Sequence, residues 1–485
     1  MVVADNSGGT DVVSGGRRST VMLLTITLAV TMGDYVEAMI LPAIPVIQKE
    51  FNTTPILVSW VTSVLLVVGT ASLPLFGRLG DIHGKKRMFL IALGIYTVGV
   101  GIAGFAPSIY VLLLARAMQA TGLVLAPLAF AMVTDIFPKE RQAYAQSVIG
   151  GVVAISTTAG YVLGSLVIQN LGWRYGFFTV FVPSVLVFVL AARVLVEGPV
   201  AKGTRVDYAG AFALGGSMLL ILVYLTEGPS IGWLSPASIS LLSPGLFLAA
   251  AFFVLETRSA SPLIQLSLLR IRNVLVANLV RIIGGISNFL FYYAFIYYAE
   301  YPKPYGLGLD ILSTGLVLAP ATLSLICWAI LAGRLMPKVG PKPVMLAGSL
   351  ALIAGLSLCI VQRSSGLYLT VDAVVAFSGW AAVILPSVNM VSVSLPKDQV
   401  TIGMGINSML ATLGQSFGPI IATTLLVSYT EPLTKIVNGQ TLVVGRIASP
   451  LAFNLIFAVG IVFTGLIMVA ALFSKNYKFP ESKTK

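Results

Sequence analysis

Long apolar runs, separated by short polar segments, make up most of the chain. A helix needs about 20 predominantly apolar residues to cross a hydrocarbon core roughly 30 Å thick. Fourteen runs reach that length, so the pattern predicts fourteen transmembrane helices. Their approximate bounds are 21–45, 55–77, 88–107, 109–136, 145–169, 174–196, 208–226, 237–256, 274–299, 311–334, 343–362, 367–393, 401–428 and 450–473.

The composition agrees with this pattern. Of the 485 residues, 57% are hydrophobic and 10% are charged, whereas a soluble domain carries about 25% charged residues. Most of the surface must therefore face lipid, which predicts a multi-pass protein of the cell's inner (plasma) membrane with the lipid bilayer as a partner. The net charge of +12 does not indicate a nucleic-acid partner, because in a membrane protein the position of each charge matters more than the sum.

Lysine and arginine are unevenly distributed between the two sides of the predicted bundle. If the N-terminus is cytoplasmic, 22 of the 30 lie in cytoplasmic segments, six lie in outer loops and two lie inside spans. Cytoplasmic loops of membrane proteins are enriched in these residues. The split predicts that both termini are cytoplasmic. The uneven distribution also supports the number of spans, because one miscounted helix would place every later loop, with its lysines and arginines, on the opposite side of the membrane.

The chain repeats itself at an offset of 256 to 258 residues. GRLGDIHGKK at 77–86 matches GRLMPKVGPK at 333–342, and FPKERQ at 137–142 matches LPKDQV at 395–400. These matches include loops and keep their order, so they indicate two parallel six-helix halves. The predicted organisation is a disordered cytoplasmic tail at 1–20, a six-helix bundle at 21–197, an insertion of two helices with flanking loops at 198–273, a second bundle at 274–473 and a cytoplasmic tail at 474–485.

Three charged residues in the outer half of the predicted bundle are the main candidates for chemistry. Asp34 and Glu37 are three residues apart, which places both on one face of the first helix. At about 1.5 Å per residue they lie roughly 20 and 24 Å above the cytoplasmic surface, at the level of Arg116 on the fourth helix. Two acids and one arginine leave one carboxylate uncompensated, and that acid can exchange a proton. The alternative is a static ion pair between the first and fourth helices.

For two further charged residues within the predicted spans, the sequence supports a functional role less strongly. Arg281 sits about 10 Å above the cytoplasmic surface, where it contacts a substrate or extends to the interface beside Arg270 and Arg272. Asp372 lies at a depth similar to that of Asp34, but it is close enough to its helix end to be interfacial.

The loop GRLGDIHGKKR between helices 2 and 3 resembles the signature loop of the major facilitator superfamily, roughly G-x-x-x-D-R-x-G-R-K-R. Ile82 stands where the family usually has arginine. RAMQATGLVLAP in helix 4 resembles the family's R-x-x-Q-G-x-G motif, with Arg116 and Gln119 in place and Ala120 for the first glycine.

Helices 5 and 1 resemble the family less closely. GGVVAISTTAGYVLGS at 150–165 is similar to the glycine-rich antiporter motif, but Tyr161 occupies the position of its proline and Ser165 that of its last glycine. In helix 1, MGDYVEAMILP is a degraded form of the signature L-D-x-T-I-V-N-V-A-L-P. Asp34 is displaced by one residue from the acid of that signature, and Glu37 has no counterpart in it.

The resemblance covers essentially the whole chain, and with fourteen spans it is to the drug:proton antiporter branch. It implies an all-α integral membrane protein with the major facilitator fold, that is, two parallel six-helix halves plus two extra central helices. It also implies that the signature loop and helix 5 shape an interface that opens and closes. The residues assigned to this gating role are Gly77, Arg78, Asp81, Gly84, Lys85, Lys86, Gly160 and Gly164.

Helix 9 ends in the aromatic stretch NFLFYYAFIYYAEY at 288–301. In the family this helix lies beside the central cavity, where aromatic faces suit flat apolar or cationic molecules. The deeper positions are the better cavity candidates, and an aromatic belt at the membrane surface is favoured for Tyr297, Tyr298 and Tyr301. The predicted substrate-binding residues are Asp34, Glu37, Gln119, Arg281, Asn288, Tyr292 and Tyr293.

These features predict a monomeric, proton-coupled secondary transporter that exports amphipathic or cationic small molecules by alternating access. Asp34, Glu37 and Arg116 are the predicted proton-coupling residues. No cofactor or metal is expected, since the proton gradient supplies the energy, and the lack of a nucleotide-binding loop or a nucleophile–base pair argues against an enzyme. Two alternatives stay open: a proton-coupled uptake carrier for an organic anion, and a non-transporting lipid-binding or sensor protein on the same scaffold.

Overall fold

The computed structural model describes residues 17–137, 139–198, 200, 207–259, 262–396, 399–437 and 440–477. Within them the chain forms eighteen α-helices, one π-helical turn and two strands. The helices are α1 (Arg17–Ile40), α2 (Ile44–Glu50), α3 (Pro55–His83), α4 (Lys85–Gly104), α5 (Ile109–Gln119), α6 (Gly122–Ile136), α7 (Lys139–Ala159), α8 (Ser165–Leu171), α9 (Trp173–Val194), α10 (Tyr208–Ile231), α11 (Pro236–Arg258), α12 (Leu266–Leu269), α13 (Arg272–Glu300), α14 (Ile311–Val339), α15 (Pro341–Val361), α16 (Gly366–Ser394), α17 (Val400–Ser428) and α18 (Pro450–Leu472); the π-helical turn is Gly160–Gly164, and the strands are β1 (Thr430–Val437) and β2 (Gln440–Ala448).

The prediction of fourteen transmembrane helices is confirmed. Among the described residues, fourteen helical segments are long and apolar enough to cross a membrane. The fourth combines α5 and α6, and the fifth combines α7, the π-helical turn and α8. The first span differs from its predicted bounds of 21–45: it runs from Ser19 to Ile40, and its helix α1 begins at Arg17, inside the segment predicted to be a disordered tail. The remaining residues of the N-terminal tail lie outside the described residues, as do 478–485 of the C-terminal one.

Three helices begin in the same way. Thr54, Ser235 and Ser449 each accept a hydrogen bond from a backbone N–H of the first turn, and a proline follows each of them at the first helical position. A hydroxyl cap satisfies an unpaired N–H, and proline there removes a donor that would have no partner. All three helices start at one end of the bundle, so the sequence marks that end with a Ser/Thr–Pro signal.

Helices α1 to α9 form one bundle, the N-half, and α13 to α18 form another, the C-half. The two halves meet along a seam in which α3 packs against α17, while the π-helical turn and its flanking helices pack against α14. The inserted helices α10 and α11 pack against each other, and α10 contacts α3 and α17 from outside the seam. Small residues at the closest approaches allow the backbones to pack tightly, as in other membrane bundles.

Strands β1 and β2 form an antiparallel hairpin with an irregular register between Leu433 and Thr434. The Tyr305 hydroxyl donates to the Pro432 carbonyl at 3.0 Å and accepts from the Thr434 N–H at 3.3 Å. The hairpin is thus anchored on the α13–α14 loop. We call this end of the bundle the hairpin face, and the opposite end, which carries both ends of the described chain, the termini face.

Candidate functional site

Arg116 is fully buried in the N-half and is held by hydrogen bonds. Its Nε donates to the Val61 carbonyl at 2.8 Å and its Nη1 donates to Gln119 Oε1 at 2.7 Å. Gln119 in turn donates to the Gly99 carbonyl at 3.0 Å. The span breaks between α5 and α6 directly after Gln119, and these bonds fix the guanidinium against α3 and α4. Gln119 therefore orients Arg116.

A cavity of about 10 Å³ lies beside this arginine, close to the lower limit for one water molecule. The Nη2 atom of Arg116 has no hydrogen-bond partner within the described chain. One donor of the guanidinium is thus left over at the cavity. The lining residues are Gly33, Val36, Glu37, Leu65, Tyr96, Arg116, Gln119, Gly122 and Leu123.

The structure separates the two acids of α1. Both are partly buried, but only Glu37 contributes to the cavity lining. Glu37 interacts electrostatically with Arg116. Among the ion pairs of the described residues, which have N–O distances up to 4.0 Å, none joins Arg116 to either acid. Arg116, the predicted partner of the two acids, thus lies at the predicted depth but does not form a direct ion pair with Glu37, with which it lines the cavity.

The α1 segment that carries Glu37 also packs against the π-helical turn, since a Cβ at Gly160 would lie 2.7 Å from the Ala38 Cβ. Tyr161 of this turn pairs with Tyr292 of α13. The two tyrosine rings are stacked, with centroids 6.0 Å apart and planes at 23°. Tyr161 belongs to the N-half and Tyr292 to the C-half, so this ring pair joins the halves next to the α1 segment that carries Glu37.

The glycines of the helix-5 motif bring the π-helical turn close to α1. A Cβ at Gly160 would lie 2.6 Å from the Tyr35 carbonyl, and one at Gly164 would lie 3.2 Å from the Met39 Cα. Any larger residue would push α1 away. These glycines therefore hold Tyr161 against the segment that carries Glu37. A π-helical turn within an α-helix is frequent at functional sites.

The aromatic stretch of α13 is buried in protein. Tyr293 donates to Thr62 Oγ1 at 2.8 Å, and Tyr297 donates to Gln48 Oε1 at 2.8 Å. Tyr297 is 1% exposed, so its assignment to an aromatic belt at the membrane surface is wrong. Its hydroxyl reaches the N-half because the seam, rather than lipid, covers this face of α13.

Three other candidates lie apart from the Glu37 cavity. Asn288 is buried in α13 and does not line the cavity. The same is true of Arg281, which is partly buried and has an Nε without an acceptor in the described chain. Asp372 is fully buried within the protein and does not line this cavity.

The signature loop is held together by ion pairs and a helix cap. Lys85 contacts Asp135 at 2.5 Å and Asp81 at 3.9 Å. Glu197, which follows α9, accepts from the backbone N–H groups of Lys86 and Arg87 at 2.9 and 3.2 Å. A carboxylate at a helix N-terminus satisfies unpaired donors and complements the helix dipole. Glu197 thus caps the N-terminus of α4.

The geometry of the loop also accounts for its glycines. Gly84 has a φ of +101°, a conformation that favours glycine, and a Cβ there would meet the Glu197 carboxylate at 2.5 Å. Gly77 lies in the last turns of α3 with open space around it, and the neighbouring Arg78 is partly buried.

Three residues that reasoning from the sequence missed now stand out. Glu197 and Asp135 are distant in sequence from the loop that they hold. A Cβ at Gly315 of α14 would collide with the Tyr161 carbonyl and lie 2.6 Å from Ser165 Oγ. The repeat pairs the sequences of the two halves but does not show which residues touch across the seam, so no local signal marks Gly315.

The described residues contain no group of three or more His, Cys, Asp or Glu side chains that could hold a metal ion. The arrangement consists of buried charges, aromatic rings and close backbone contacts between two bundles. A fold of two six-helix halves with its polar groups near their seam defines a polytopic membrane transporter.

Comparison with known proteins gives the family. The model described as "Major Facilitator Superfamily" matches residues 25–419 and 282–485. The chain belongs to the major facilitator superfamily.

Curated relatives share about a quarter of its residues. It is 27% identical over 392 residues to the multidrug resistance protein Stp of Mycobacterium tuberculosis (strain CDC 1551 / Oshkosh), covering 80% of this chain and 72% of that protein. It is 25% identical over 417 residues to the tetracenomycin C resistance and export protein of Streptomyces glaucescens, covering 84% and 76%. A third relative is multidrug resistance protein 3 of Bacillus subtilis (strain 168), 25% identical with 79% and 75% covered.

Solved structures show the same fold at low identity. A bacterial homologue of the human lysosomal transporter Spinster, in an inward-facing and unoccupied conformation, has a TM-score of 0.63 at 14% identity and covers 95% of this chain and 97% of its own. The human organic anion transporter MFSD10 has a TM-score of 0.59 at 15% identity, with 95% and 100% covered. The predicted fold and the resemblance to multidrug efflux transporters are confirmed, and so is the prediction that the chain is not an enzyme.

Proposed function

We propose that the protein is a monomeric, proton-coupled exporter of amphipathic or cationic small molecules that works by alternating access in the cell's inner membrane. The observation that carries this proposal is the position of Glu37. It lines a cavity together with Arg116, and the α1 segment that carries it packs against the π-helical turn, whose Tyr161 ring stacks on Tyr292 of the other half. A change in its charge therefore acts next to a contact between the two halves. The names of the curated relatives support export of drug-like compounds.

The seam supports a conformation closed at the hairpin face. There, Gln169 accepts from the Leu312 N–H at 2.8 Å, and Tyr297 donates to Gln48. At the termini face, a Cβ added at Gly77 or Gly150 would meet nothing within 4 Å. With both termini in the cytoplasm, as the lysine and arginine distribution indicates, the substrate site is open to the cytoplasm.

In the proposed cycle, protonation of Glu37 removes the negative charge that faces Arg116. The arginine keeps its bonds to Val61 and Gln119, so the change is transmitted through α1 to the π-helical turn packed against it, where the tyrosine pair joins the halves. Asp34, one helical turn earlier, is the second group available to bind a proton or a cationic substrate. An outside proton would thus be exchanged for a substrate from the inside.

Transport by reconstituted protein tests the proposal. Proteoliposomes with an imposed proton gradient should move tetraphenylphosphonium against the direction of proton flow. The double variant Asp34→Asn, Glu37→Gln should lose this gradient-driven transport at least tenfold. Glu227→Gln, which changes an exposed acid on α10, should transport like the parent protein. Undiminished gradient-driven transport in the double variant would overturn the assignment.

One observation favours a second function, proton-coupled uptake of an organic anion. The guanidinium of Arg281 has an Nε with no acceptor, and none of the ion pairs in the described chain includes it. An anionic substrate would supply the missing charge. The same proteoliposomes distinguish the two functions. An inward proton gradient drives an organic anion inward if the protein is an uptake carrier, and it drives tetraphenylphosphonium outward if the protein is an exporter.

A further inference from the structure

The inserted helix α10 is hydrogen-bonded to both halves through two consecutive residues. The indole Nε1 of Trp60 in α3 donates to Thr226 Oγ1 at 3.0 Å, and the Thr424 hydroxyl in α17 donates to the Leu225 carbonyl at 3.3 Å. Trp60 lies in the first two turns of its helix and Thr424 in the last two turns of its own, so both bonds are near the hairpin face. The insertion is thus attached to the N-half and to the C-half at one level of the membrane.

Pro229 accounts for the free carbonyl that α10 offers to another helix. In an α-helix the Leu225 carbonyl would accept from the N–H of residue 229, but proline has no N–H. Since Pro229 lies inside α10, the Leu225 carbonyl lacks that partner in its own helix. An unpaired carbonyl is costly within a bilayer, and the Thr424 hydroxyl satisfies it. The proline therefore creates an acceptor for the C-half.

Thr226 is oriented for its bond to the N-half. Its hydroxyl donates to the Leu222 carbonyl one turn earlier at 2.8 Å, which leaves its lone pairs for the buried Trp60 indole. Three turns away, a Cβ at Gly215 of α10 would lie 3.5 Å from the Ala71 Cβ of α3, an ordinary van der Waals contact. Helix α10 therefore packs along α3 between these two points.

The seam is also closed directly between α3 and α17. The Ser63 hydroxyl of α3 donates to the Ser416 carbonyl of α17 at 3.0 Å, and both residues are fully buried. The two helices belong to different halves, so they separate at this level when the hairpin face opens. Helix α10 cannot keep both of its bonds through that movement, and one of them must break in each cycle.

The two bonds of α10 differ in what can replace them. A threonine hydroxyl in a helix can donate to the carbonyl four residues earlier, as the neighbouring Thr423 does to Pro419 at 2.9 Å. Thr424 has the same alternative in the Ile420 carbonyl. The indole N–H of Trp60 is a donor only, and a buried donor without an acceptor is costly. The bond to the C-half is therefore the one that breaks at the lower cost.

We propose that α10 is a clamp across the α3–α17 flank of the seam, which holds the hairpin face closed and stays on the N-half when that face opens. The clamp consists of two bonds in series, Trp60 with Thr226 and Thr424 with Leu225. It gives the inserted helices a role in the transport cycle, because they then help to set the ratio of closed to open hairpin faces. This inference rests on the alternating access of the proposed function.

Spin-label distances test the clamp in the full chain. Labels on Asn170→Cys and Lys303→Cys, exposed on opposite halves at the hairpin face, report the ratio of closed to open molecules. The exposed Cys327 is replaced by serine. Thr424→Val and Trp60→Phe each remove one donor and keep most of the side-chain shape. Each should lower the closed-to-open ratio about fivefold, as expected for one hydrogen bond between neutral groups.

The double variant distinguishes a clamp from two independent contacts. Because the two bonds act in series, either single change releases the clamp, so Trp60→Phe, Thr424→Val together should also lower the ratio about fivefold. Independent contacts would lower it about twenty-fivefold, and that result overturns the proposal. A ratio within twofold of the parent protein in either single variant overturns it as well.

Thr257→Val is the matched control, because the Thr257 hydroxyl donates to the Val254 carbonyl within α11. It should keep the ratio of the parent protein. A loss equal to that of Thr424→Val would mean that any hydroxyl of the insertion affects closure, which would overturn the clamp.

A third label shows which half the insertion follows. Leu234 lies on the turn between α10 and α11 and is 85% exposed. In molecules with an open hairpin face, the distance from Leu234→Cys to Asn170→Cys should stay the same, and the distance to Lys303→Cys should lengthen. The reverse pattern would show that α10 stays on the C-half, and it would overturn the assignment of the bond that breaks.

The readouts separate this inference from the proposed function. Proton-driven tetraphenylphosphonium export by the parent protein, together with additive losses in the double variant, would overturn the clamp alone. No proton-driven export by the parent protein would overturn the function.

Discussion

The seam between the two halves differs at its two ends. At the hairpin face, backbone and side chains from both halves touch: Gly315 lies against the Tyr161 carbonyl, and Tyr293 and Tyr297 donate to Thr62 and Gln48. At the termini face, a Cβ added at Gly77, Gly150, Gly151 or Gly405 of the seam helices would meet nothing within 4 Å. A Cβ at Gly80 or Gly403 would meet only residues of its own half.

The two ends also use different chemistry. The closed end is joined mainly by hydrogen bonds between neutral groups, each worth about 1 kcal/mol, together with one from Gln169 to the Asp310 carboxylate at 3.3 Å. The open end carries ion pairs, such as that of Lys85 with Asp135, but these lie within one half. A few weak bonds across the seam can be broken in each transport cycle, whereas the charged contacts keep each half rigid while it moves. Closure of the seam at the hairpin face therefore depends more on the geometry of the contacts than on charge.

The largest expected effect comes from filling the closest contact. Gly315→Leu places a side chain where the Tyr161 carbonyl and Ser165 Oγ now lie, so the hairpin face should no longer close. Spin labels on Asn170→Cys and Lys303→Cys, both exposed at this face, should shift mainly to longer distances. Gradient-driven transport should fall at least tenfold.

Gly150→Leu is the control for this prediction, because a Cβ at Gly150 meets open space. It should leave the hairpin-face distance short. If Gly315→Leu also kept that distance short, the closed contact at the hairpin face would not be limited by this glycine.

An intermediate effect is expected from the tyrosine hydroxyls. The double variant Tyr293→Phe, Tyr297→Phe removes two bonds across the seam, about 2 kcal/mol together. That corresponds to a shift of roughly thirtyfold in the closed-to-open ratio, measured with the same spin labels. Tyr224→Phe, which removes a hydroxyl contact outside the seam, should leave the ratio unchanged. An equal shift in both variants would mean that the seam bonds do not govern closure.

The smallest effect concerns pH at the hairpin face. Hydrogen bonds from the Ser313 backbone N–H and hydroxyl, followed by one from Gln169, lower the pKa of Asp310, which lies outside the spans. A carboxyl whose folded pKa is lowered contributes stability that is complete above its ordinary value near 4 and is lost as pH falls through the lowered value. The hairpin-face closure due to Asp310 should therefore not change between pH 7 and 5.

Asp310→Asn provides the comparison. It should weaken closure slightly and by the same amount at pH 7 and pH 5, as read from the spin-label distances. The prediction is wrong if closure of the hairpin face weakens from pH 7 to pH 5 in the parent protein but not in Asp310→Asn, because the Asp310 carboxyl would then titrate within this range.

Much of the fold could be predicted because it depends on local composition. Each span is a run of apolar residues with backbone bonds satisfied inside its own helix, which a bilayer requires. Caps such as Thr54–Pro55 and the glycines at Gly84 and Gly340, both with positive φ, are likewise local signals. The first span was predicted to continue to residue 45, but helix α1 ends at Ile40 and a separate short helix follows.

The candidate site was predictable only in part. Depth counting along straight helices placed Arg116 at the level of Asp34 and Glu37, but depth does not define rotation about a helix axis. The structure turns Glu37 rather than Asp34 toward the arginine cavity. Tyr161, Gly315 and Glu197 depend on contacts between segments far apart in the chain, for which no local pattern exists.

The sequence by itself determined the membrane location, the fourteen spans, the repeat and the inventory of buried charges, because the hydrophobic effect and the cost of burying charge act residue by residue. Only the tertiary structure decided which charges share a cavity, which rings meet across the seam and which end of the seam is closed. These follow from how rigid helices pack against each other, and a packing contact belongs to two segments at once.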